Sequence, residues 1–412
     1  MLVMNRLVQI IAILLVTINP TIYVLNANQA VEEAGMQAPW PIHEWSRTTP
    51  EEQGLNSAQL ESMIDHFTMN NIQIDSLLVI RNGWIVFEKY PSKYGPDDVH
   101  HLFSCTKSIT STLVGIALLL GYIDSIDKPV LDFFQQYNFS NPSERKERIS
   151  IKDLLEMTTG FEWNEEQYGN ELNDYNKMVR SEDWVKYVLD KQMRTEPGTT
   201  FLYNSGASHV LSAIIQEVTQ NSTLDFAVAN LFSNLGISEY NWDQDPQGIY
   251  SGASSLKLKP EDMAKIGYLY LRNGLWDGIQ ILPQEWVQMT STSLVPVDDS
   301  LDYSYQWWVL PDIHAFYALG WGYQSITVVP EYDLVIVVTA ATLDASVHVD
   351  YILKKWIFPS LGLNTTVRTS YSISPLFLFL GGSPFIVMAI AYFMDLRGLW
   401  DGTEKGKNES SQ

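Results

Sequence analysis

The chain has 412 residues, 46% of them hydrophobic and 18% charged, which is enough apolar material for a large core and excludes a disordered or fibrous protein. Its formal charge of −22 repels phosphate backbones, so we do not expect nucleic acid as a partner. The single cysteine, Cys105, excludes an intramolecular disulfide and a zinc knuckle.

The two ends of the chain carry signals for export and membrane insertion. Residues 1–30 combine an early Arg6 with an uncharged, mostly apolar run, which indicates a signal peptide or an uncleaved N-terminal anchor. Residues 369–394 contain no charge, and we predict a transmembrane helix over 372–394, followed by a short polar tail over 395–412. Basic residues in that tail favour a cytoplasmic C-terminus, so we expect a membrane-anchored body that is extracytoplasmic.

The body, residues 44–361, begins with signals for a helix and a hairpin. Asn56 and Ser57 can cap a helix whose apolar positions recur at helical spacing, namely Leu60, Met63, Ile64 and Phe67. Strands are predicted over 76–80 and 84–87. Asn82-Gly83 lies between them and is a strong hairpin signal, because both residues tolerate positive φ.

Mostly helical sequence follows the hairpin. The predicted helices, in chain order, cover 104–120, short pieces around 151–157 and 182–189 within a polar, irregular stretch, and then 205–218 and 260–271. The polar stretch, about 124–200, is predicted to be a mostly helical subdomain inserted into the rest of the fold.

Strand signals return at the end of the body. The predicted strands cover 303–310, 315–319, 325–329 and 334–338, and a final amphipathic helix is predicted over 345–357. Because early and late strands flank the helical sequence, one antiparallel sheet built from both ends of the domain is the economical arrangement. We therefore predict an α+β fold of the α/β sandwich type, with helices flanking this sheet.

The sharpest chemical signal is a serine and a lysine three residues apart at the start of a predicted apolar helix. Ser104 and Lys107 lie one turn apart on the same helix face. A serine hydroxyl needs a nearby base to act as a nucleophile, and a buried lysine can supply one because desolvation lowers its pKa. The bare pair also fits a solvated Ser/Lys pair on a helix surface, so the surrounding sequence has to decide.

The rest of the body resembles the serine β-lactamase and penicillin-binding-protein superfamily, which uses this Ser-x-x-Lys motif. The segments that carry the resemblance, in the family's order, are LLEMTTG at 154–160, EPGTTFLYNS at 196–205, SGAS at 251–254 with PEDMAKIG at 260–267, and YQWW at 305–308 with GWGYQ at 320–324. Within the superfamily the chain looks most like the class C β-lactamase branch, in its esterase and 6-aminohexanoate-dimer-hydrolase-like group.

The resemblance implies roles for particular residues. Ser104 would be the acylated nucleophile, Lys107 its proton acceptor, and Tyr203 a second general acid/base, although a buried tyrosine of the core is the alternative for Tyr203. The oxyanion hole would consist of the N–H of Ser104 and the backbone N–H of Trp321, with Tyr323 as the alternative donor. The resemblance implies no cofactor and no metal.

Two departures from the family's pattern bear on the substrate. Tyr-x-Asn is replaced by Tyr203-Asn204-Ser205, and the lysine of the Lys-Thr-Gly element is missing near Gly320. No basic residue lies between His314 and Tyr332, so a penicillin carboxylate would lack its usual partner. A small-molecule ester or amide is therefore the expected substrate. The expected substrate-binding residues are Tyr168, Ser205, Gly320 and Gly322.

Several neighbouring residues have a structural interpretation. Trp163 is expected to serve packing or the pocket, Cys105 to be buried beside the nucleophile, and His100-His101 to be strand-end residues rather than metal ligands. The sequence thus predicts a membrane-anchored, extracytoplasmic serine hydrolase of the carboxylesterase or amidase type. The alternatives are a β-lactamase or D-alanyl peptidase acting on cell-wall-like substrates, and a catalytically silent binding ectodomain on the same fold.

Overall fold

The structure is a computed structural model that describes residues 40–166 and 171–365. The predicted signal peptide or anchor (1–30), the predicted transmembrane helix (372–394) and the polar tail (395–412) lie outside the described residues, as does Tyr168. Among the helices of the described ranges, none combines the length and apolarity needed to cross a bilayer.

Twelve strands are described within these ranges: β1 (Ile74–Arg81), β2 (Trp84–Lys89), β3 (His100–His101), β4 (Lys257–Leu258), β5 (Leu275–Trp276), β6 (Ile279–Gln280), β7 (Val295–Asp298), β8 (Leu301–Ser304), β9 (Trp307–Leu310), β10 (Ala315–Gly320), β11 (Gln324–Val329) and β12 (Leu334–Ala340). Eight of them form the main sheet in the order β2-β1-β12-β11-β10-β9-β8-β7. Every neighbouring pair in it is antiparallel.

The α-helices of the described ranges are α1 (Ser57–Met69), α2 (Cys105–Leu119), α3 (Glu144–Glu147), α4 (Ile151–Leu155), α5 (Asp174–Arg180), α6 (Trp184–Leu189), α7 (Ser205–Thr219), α8 (Thr223–Ala227), α9 (Ser233–Leu235), α10 (Pro260–Leu271), α11 (Gln284–Thr290), α12 (Val349–Ile352) and α13 (Phe358–Ser360). A π-helical turn, Val228–Phe232, joins α8 to α9, and another, Leu353–Ile357, joins α12 to α13.

The sheet confirms the predicted architecture, because β1 from the start of the body pairs directly with β12 from its end. Leu77 lies opposite Val338 in that pair, and Val338 lies opposite Ser325 of β11. β11 and β12 are buried along their whole length, which requires cover on both faces of the sheet. The result is an α+β fold in which residues far apart in sequence share one core.

Local signals in the first part of the body are confirmed. The Asn56 side chain accepts a hydrogen bond from the Gln59 N–H and so caps α1, while Leu60, Met63 and Phe67 are buried. Asn82 and Gly83 have φ values of 51° and 81°, which form the tight turn between β1 and β2.

Helix α2 is the central helix of the fold. Its residues from Cys105 through Ala117 are all buried, which is the pattern of a helix that is surrounded by other elements. It packs against α7 and against β10 and β11. Burial of each Leu, Ile or Val side chain on it contributes about 1.5–3 kcal/mol of transfer free energy. This burial stabilises the position of α2, including its first turn.

The stretch that was predicted to be an inserted helical subdomain contains short helices. α3, α4, α5 and α6 fall within the stretch predicted to be polar and irregular, and α4 and α6 pack on α7. Ser150 begins α4 with a reciprocal capping box to Asp153, which explains a stable helix of only five residues. This packing brings the segment after α4 towards the start of α7.

Two predicted elements are wrong in detail. The strand expected over 303–310 is a hairpin of β8 and β9, because Tyr305 and Gln306 take φ values of 42° and 67° and reverse the chain. The helix expected over 345–357 begins only at Val349, because the preceding His348 is extended and its ring accepts a hydrogen bond from the Asp350 N–H. Neither turn carries a glycine, so the usual turn signal is missing from the sequence.

Candidate active site

Ser104 occupies the N-cap position of α2, at the point where the chain leaves β3. The residue before it, Phe103, has a φ of 47°, a left-handed conformation that a bulky side chain adopts only when its surroundings enforce it. Here the Leu102 N–H donates to the Leu256 carbonyl at 2.8 Å, and the Phe103 N–H donates to Nδ1 of His101 at 3.0 Å. This sharp entry leaves Ser104 half-buried at the helix start, with its hydroxyl directed to Lys107.

Lys107 has the environment that a neutral lysine base requires. Its side chain is 2% exposed, and Nζ lies 2.9 Å from Oγ of Ser104 and 3.0 Å from the carbonyl oxygen of Ala253. Burial lowers the pKa of Lys107 from 10.5 to about 8, although the nearby charge of Glu165 opposes this shift. Near neutral pH a usable fraction of the amine is therefore unprotonated.

Tyr203 completes a cluster of three side chains around one oxygen atom. Its hydroxyl interacts with the side chain of Ser104, and its ring centroid lies 4.9 Å from Nζ of Lys107. The ring stacks on Trp308, with centroids 5.9 Å apart and planes at 16°. Burial raises the pKa of Tyr203 well above its ordinary value, and the Glu165 charge raises it further, so the hydroxyl stays protonated.

The turn after β10 lies against the start of α2. Phe103 and Trp321 meet edge to face with ring centroids 5.3 Å apart. A Cβ atom at Gly320 would lie 2.1 Å from the carbonyl oxygen of Leu102, so only glycine lets the strand approach this closely. Cys105 also links the start of α2 to the start of β11, since its buried Sγ donates to the Gln324 carbonyl at 3.3 Å.

The remaining residues of that turn adopt unusual backbone conformations. Gly322 and Tyr323 have φ values of 74° and 66°. The Tyr323 ring is buried and lies edge to face with His348. The backbone of the turn is thus close to Ser104, while the choice between Trp321 and Tyr323 as second oxyanion donor stays a prediction.

Ser205, a predicted substrate-binding residue, is buried and is hydrogen-bonded to another side chain of the protein. Its Oγ donates to Oε1 of Glu165 at 2.5 Å, and its N–H donates to Oε2 of Glu165 at 2.7 Å. Trp163 is buried and donates from Nε1 to the same carboxylate at 2.8 Å. These contacts join the segment after α4 to the first residue of α7.

Sequence reasoning missed three contributors to this cluster. Glu165 follows no motif and meets Ser205 forty residues further along the chain. Tyr175 and Ser254 share a hydrogen bond of 2.8 Å between their hydroxyl groups, and Ser254 directly follows Ala253, the carbonyl partner of Lys107. Of the three, only Glu165 had a sequence signal: it is an acidic residue two positions after Trp163, in a segment already noted for its aromatic residues.

His100 and His101 form β3, as expected for strand-end residues. Burial lowers the pKa of His101 to about 4, so its ring is neutral and can accept the hydrogen bond from the Phe103 N–H. Within residues 40–166 and 171–365 no three His, Cys, Asp or Glu side chains converge as metal ligands would.

Comparison with known protein families agrees with this geometry. The family profile described as Beta-lactamase matches residues 60–354 of the chain, which includes every described residue of the site. The chain belongs to the beta-lactamase family.

Two similar curated proteins come from bacteria. The 6-aminohexanoate-dimer hydrolase of Paenarthrobacter ureafaciens is 25% identical over 260 residues, which cover 57% of this chain and 64% of that enzyme. Protein flp of Staphylococcus aureus (strain MRSA252) is 26% identical over 202 residues, which cover 45% of this chain and 38% of flp. The chain thus spans less than two thirds of the length of either relative.

Among solved structures, a candidate 6-aminohexanoate-dimer hydrolase from Bacillus anthracis superimposes with a TM-score of 0.65 at 21% identity. The match covers 79% of this chain and 89% of that one. At this level of identity the likeness establishes the fold, and the chemistry has to be argued from the site.

Proposed function

We propose that this chain is a serine hydrolase that cleaves an ester or amide bond through an acyl-enzyme on Ser104, with Lys107 and Tyr203 as general acid and base. The observation that carries the proposal is the convergence of the Lys107 amine and the Tyr203 hydroxyl on the Ser104 hydroxyl. A solvated Ser/Lys pair does not explain a lysine that is 2% exposed.

Acylation follows from these contacts. The neutral amine of Lys107 accepts the hydroxyl proton as Oγ of Ser104 bonds to the substrate's carbonyl carbon. The negative oxygen that forms is stabilised by the N–H of Ser104 at the helix start and by the N–H of Trp321 or Tyr323. As the bond to the leaving group breaks, the Tyr203 hydroxyl gives that group a proton and regains one from the Lys107 ammonium.

Deacylation reverses the roles of the same groups. A water molecule adds to the acyl carbonyl carbon while its proton passes to the basic pair Tyr203 and Lys107. Oγ of Ser104 then leaves and takes this proton back. The carboxylic acid product is released, and the site returns to its starting state without a cofactor.

The charge of the chain supports a neutral ester or amide substrate. The net charge is −22, and the stretch between His314 and Tyr332 contains no basic residue that could bind a carboxylate. We propose that Tyr168, Gly320 and Gly322 face this substrate. Ser205 stays in the set with its hydroxyl shared with Glu165.

We also propose that the enzyme is anchored in a membrane with its catalytic body on the extracytoplasmic side. The support is the uncharged run 369–394, which is long enough to span a bilayer. Fractionation of the full chain, of residues 31–412 and of residues 31–365 tests this, since the two chains that contain the run 369–394 should stay with membranes after a carbonate wash and residues 31–365 should not. A full chain that is released by the wash contradicts the anchor.

A fluorophosphonate probe tests the chemistry directly. Wild type should be labelled and should turn over p-nitrophenyl acyl esters, whereas Ser104→Ala and Lys107→Ala should do neither. Ser111→Ala is the matched control, because Ser111 lies on the same helix, is buried, and has no hydrogen-bond partner among the described residues. Turnover of nitrocefin by wild type would instead favour the β-lactamase alternative. A folded wild type with neither labelling nor turnover would favour the silent ectodomain.

A further inference from the structure

The carboxylate of Glu165 is held by three donors from two segments of the chain. Nε1 of Trp163 and the N–H of Ser205 donate to Oε2 at 2.8 and 2.7 Å, and Oγ of Ser205 donates to Oε1 at 2.5 Å. A glutamate on an exposed loop would not be expected to receive three such bonds, since fixing its side chain costs rotamer entropy. The arrangement therefore holds one negative charge in one place.

That place is the start of α7, directly after Tyr203. Ser205 is the first residue of α7, and a carboxylate at a helix N-terminus is stabilised by the unpaired N–H groups and the helix dipole. Because Tyr203 lies only two residues before Ser205, the bond to Ser205 also limits where the Tyr203 backbone can lie. The Glu165 carboxylate therefore helps to fix the position of Tyr203 through its hydrogen bonds to Ser205.

The same charge acts on the reacting groups through space. The charge of Glu165 opposes the lowering of the Lys107 pKa and raises the pKa values of Tyr203 and Tyr175. The other titratable groups that face Lys107 are Cys105 on its own helix and Tyr203 before α7. Glu165 is therefore the acidic group that supports positive charge on Lys107.

We propose that Glu165 is a positioning residue of the acyl-transfer site, which fixes the start of α7 through Ser205 and holds a negative charge beside Lys107 and Tyr203. The inference rests on the proposed function, because it concerns protons that move only during acyl transfer. When Ser104 attacks, Lys107 becomes an ammonium ion in a buried site. A fixed carboxylate nearby stabilises that ion, so the barrier to acylation falls.

The test compares the pH dependence of kcat/KM for ester hydrolysis in full-chain wild type, Glu165→Gln and Glu165→Asp. Glu162→Gln is the matched control, since Glu162 is an exposed acidic residue of the same segment. Thermal unfolding of each variant shows whether it is folded. Glutamine removes the charge at nearly constant size, whereas aspartate keeps the charge but shortens the reach to Ser205.

Loss of the charge in Glu165→Gln should lower the Lys107 pKa, so the acidic limb of the profile should move down by on the order of one pH unit. The plateau of kcat/KM should fall roughly tenfold, because the Lys107 ammonium loses its partner. Glu165→Asp should lose rate while its acidic limb stays near that of wild type. Glu162→Gln should match wild type throughout.

An acidic limb in Glu165→Gln that coincides with that of wild type overturns the proposal and leaves Glu165 as a helix cap only. If Glu165→Gln does not fold, Ser205→Ala tests the positioning of α7 by Glu165, since this variant removes one hydrogen bond to the carboxylate and keeps the charge. Its kcat should fall several-fold while the acidic limb of its pH profile stays where it is in wild type. An unchanged kcat overturns the proposal. A wild type without turnover or labelling refutes the proposed function itself, whereas an active wild type with an unmoved limb refutes only the role of Glu165.

Discussion

Replacing Lys107 with methionine should abolish activity and, at neutral pH, stabilise the protein. Methionine has nearly the same length as lysine but carries no charge and no basic nitrogen. Without the amine, Ser104 loses its proton acceptor, and general-base catalysis typically contributes about 10²–10⁴-fold in rate. We therefore expect ester turnover to fall by at least about 100-fold.

The gain in stability follows from the cost of a buried ammonium ion. Burial lowers the Lys107 pKa from 10.5 to about 8, and about 1.4 kcal/mol per pH unit gives a cost of about 3 kcal/mol for folding with Lys107 charged. Methionine removes this cost but also removes hydrogen bonds to Ser104 and Ala253, each worth about 1 kcal/mol net. The variant should therefore be about 1 kcal/mol more stable than wild type at pH 7.

The sign of this difference should reverse with pH. Between pH 8 and 10.5 the unfolded chain keeps a proton on Lys107 that the folded chain has lost, so wild-type stability rises with pH through this window. Above pH 10.5 lysine is neutral in both states, the cost disappears, and only the lost hydrogen bonds count. There the variant should be about 2 kcal/mol less stable than wild type.

Urea unfolding at several pH values measures both halves of this expectation, alongside hydrolysis of a p-nitrophenyl ester. Lys146→Met is the matched control, because Lys146 is also buried and donates to the carbonyl oxygens of Ser140 and Leu189, both at 2.7 Å. It makes no contact with Ser104 in the described structure, so turnover should be retained. A Lys107→Met variant that is less stable than wild type at pH 7 would refute the reasoning about the buried charge.

Three further expectations follow from the same geometry. In wild type, kcat/KM should rise with pH through about 8, because the Lys107 amine must be neutral to accept a proton, and a profile that is flat from pH 6 to 9 contradicts this assignment. Tyr203→Phe should keep the stacking on Trp308 and the thermal stability, yet lower kcat by about 10²-fold or more with little change in KM. Equal kcat in that variant and wild type removes Tyr203 from the mechanism. Gly320→Ala should cost about 1–3 kcal/mol in unfolding free energy and reduce turnover, because its Cβ would lie 2.1 Å from the Leu102 carbonyl oxygen. A Gly320→Ala protein of wild-type stability would show that the strand can yield there.

Much of the fold is encoded in short-range patterns. The cap at Asn56, the turn at Asn82-Gly83 and the apolar run that forms α2 depend on residues within one or two turns of each other, and the structure contains all three. The hairpin at Tyr305-Gln306 was missed because its left-handed residues are not glycine. They are imposed by packing, since Tyr305 and Gln306 are both buried.

In the candidate site, too, some contacts could be predicted from local sequence patterns and others depend on the tertiary structure. The Ser104–Lys107 pair was visible in the sequence because three residues bring two side chains to one helix face. The Ala253 carbonyl beside Lys107 and the carboxylate of Glu165 beside Ser205 could not be read from spacing, since neither belongs to a local pattern.

The sequence by itself determined the secondary structure of most elements, the antiparallel sheet built from both ends of the body, and the pairing of Ser104 with Lys107 at the start of α2. Periodicity, caps and turns act between neighbours, so they can be read before the chain folds. Only the tertiary structure decided that Lys107 is buried enough for its pKa to fall to about 8, and that Glu165 opposes this fall. Desolvation and Coulomb interactions depend on what surrounds a group in space, and those surroundings exist only once α2, α7 and the closing strands have packed together.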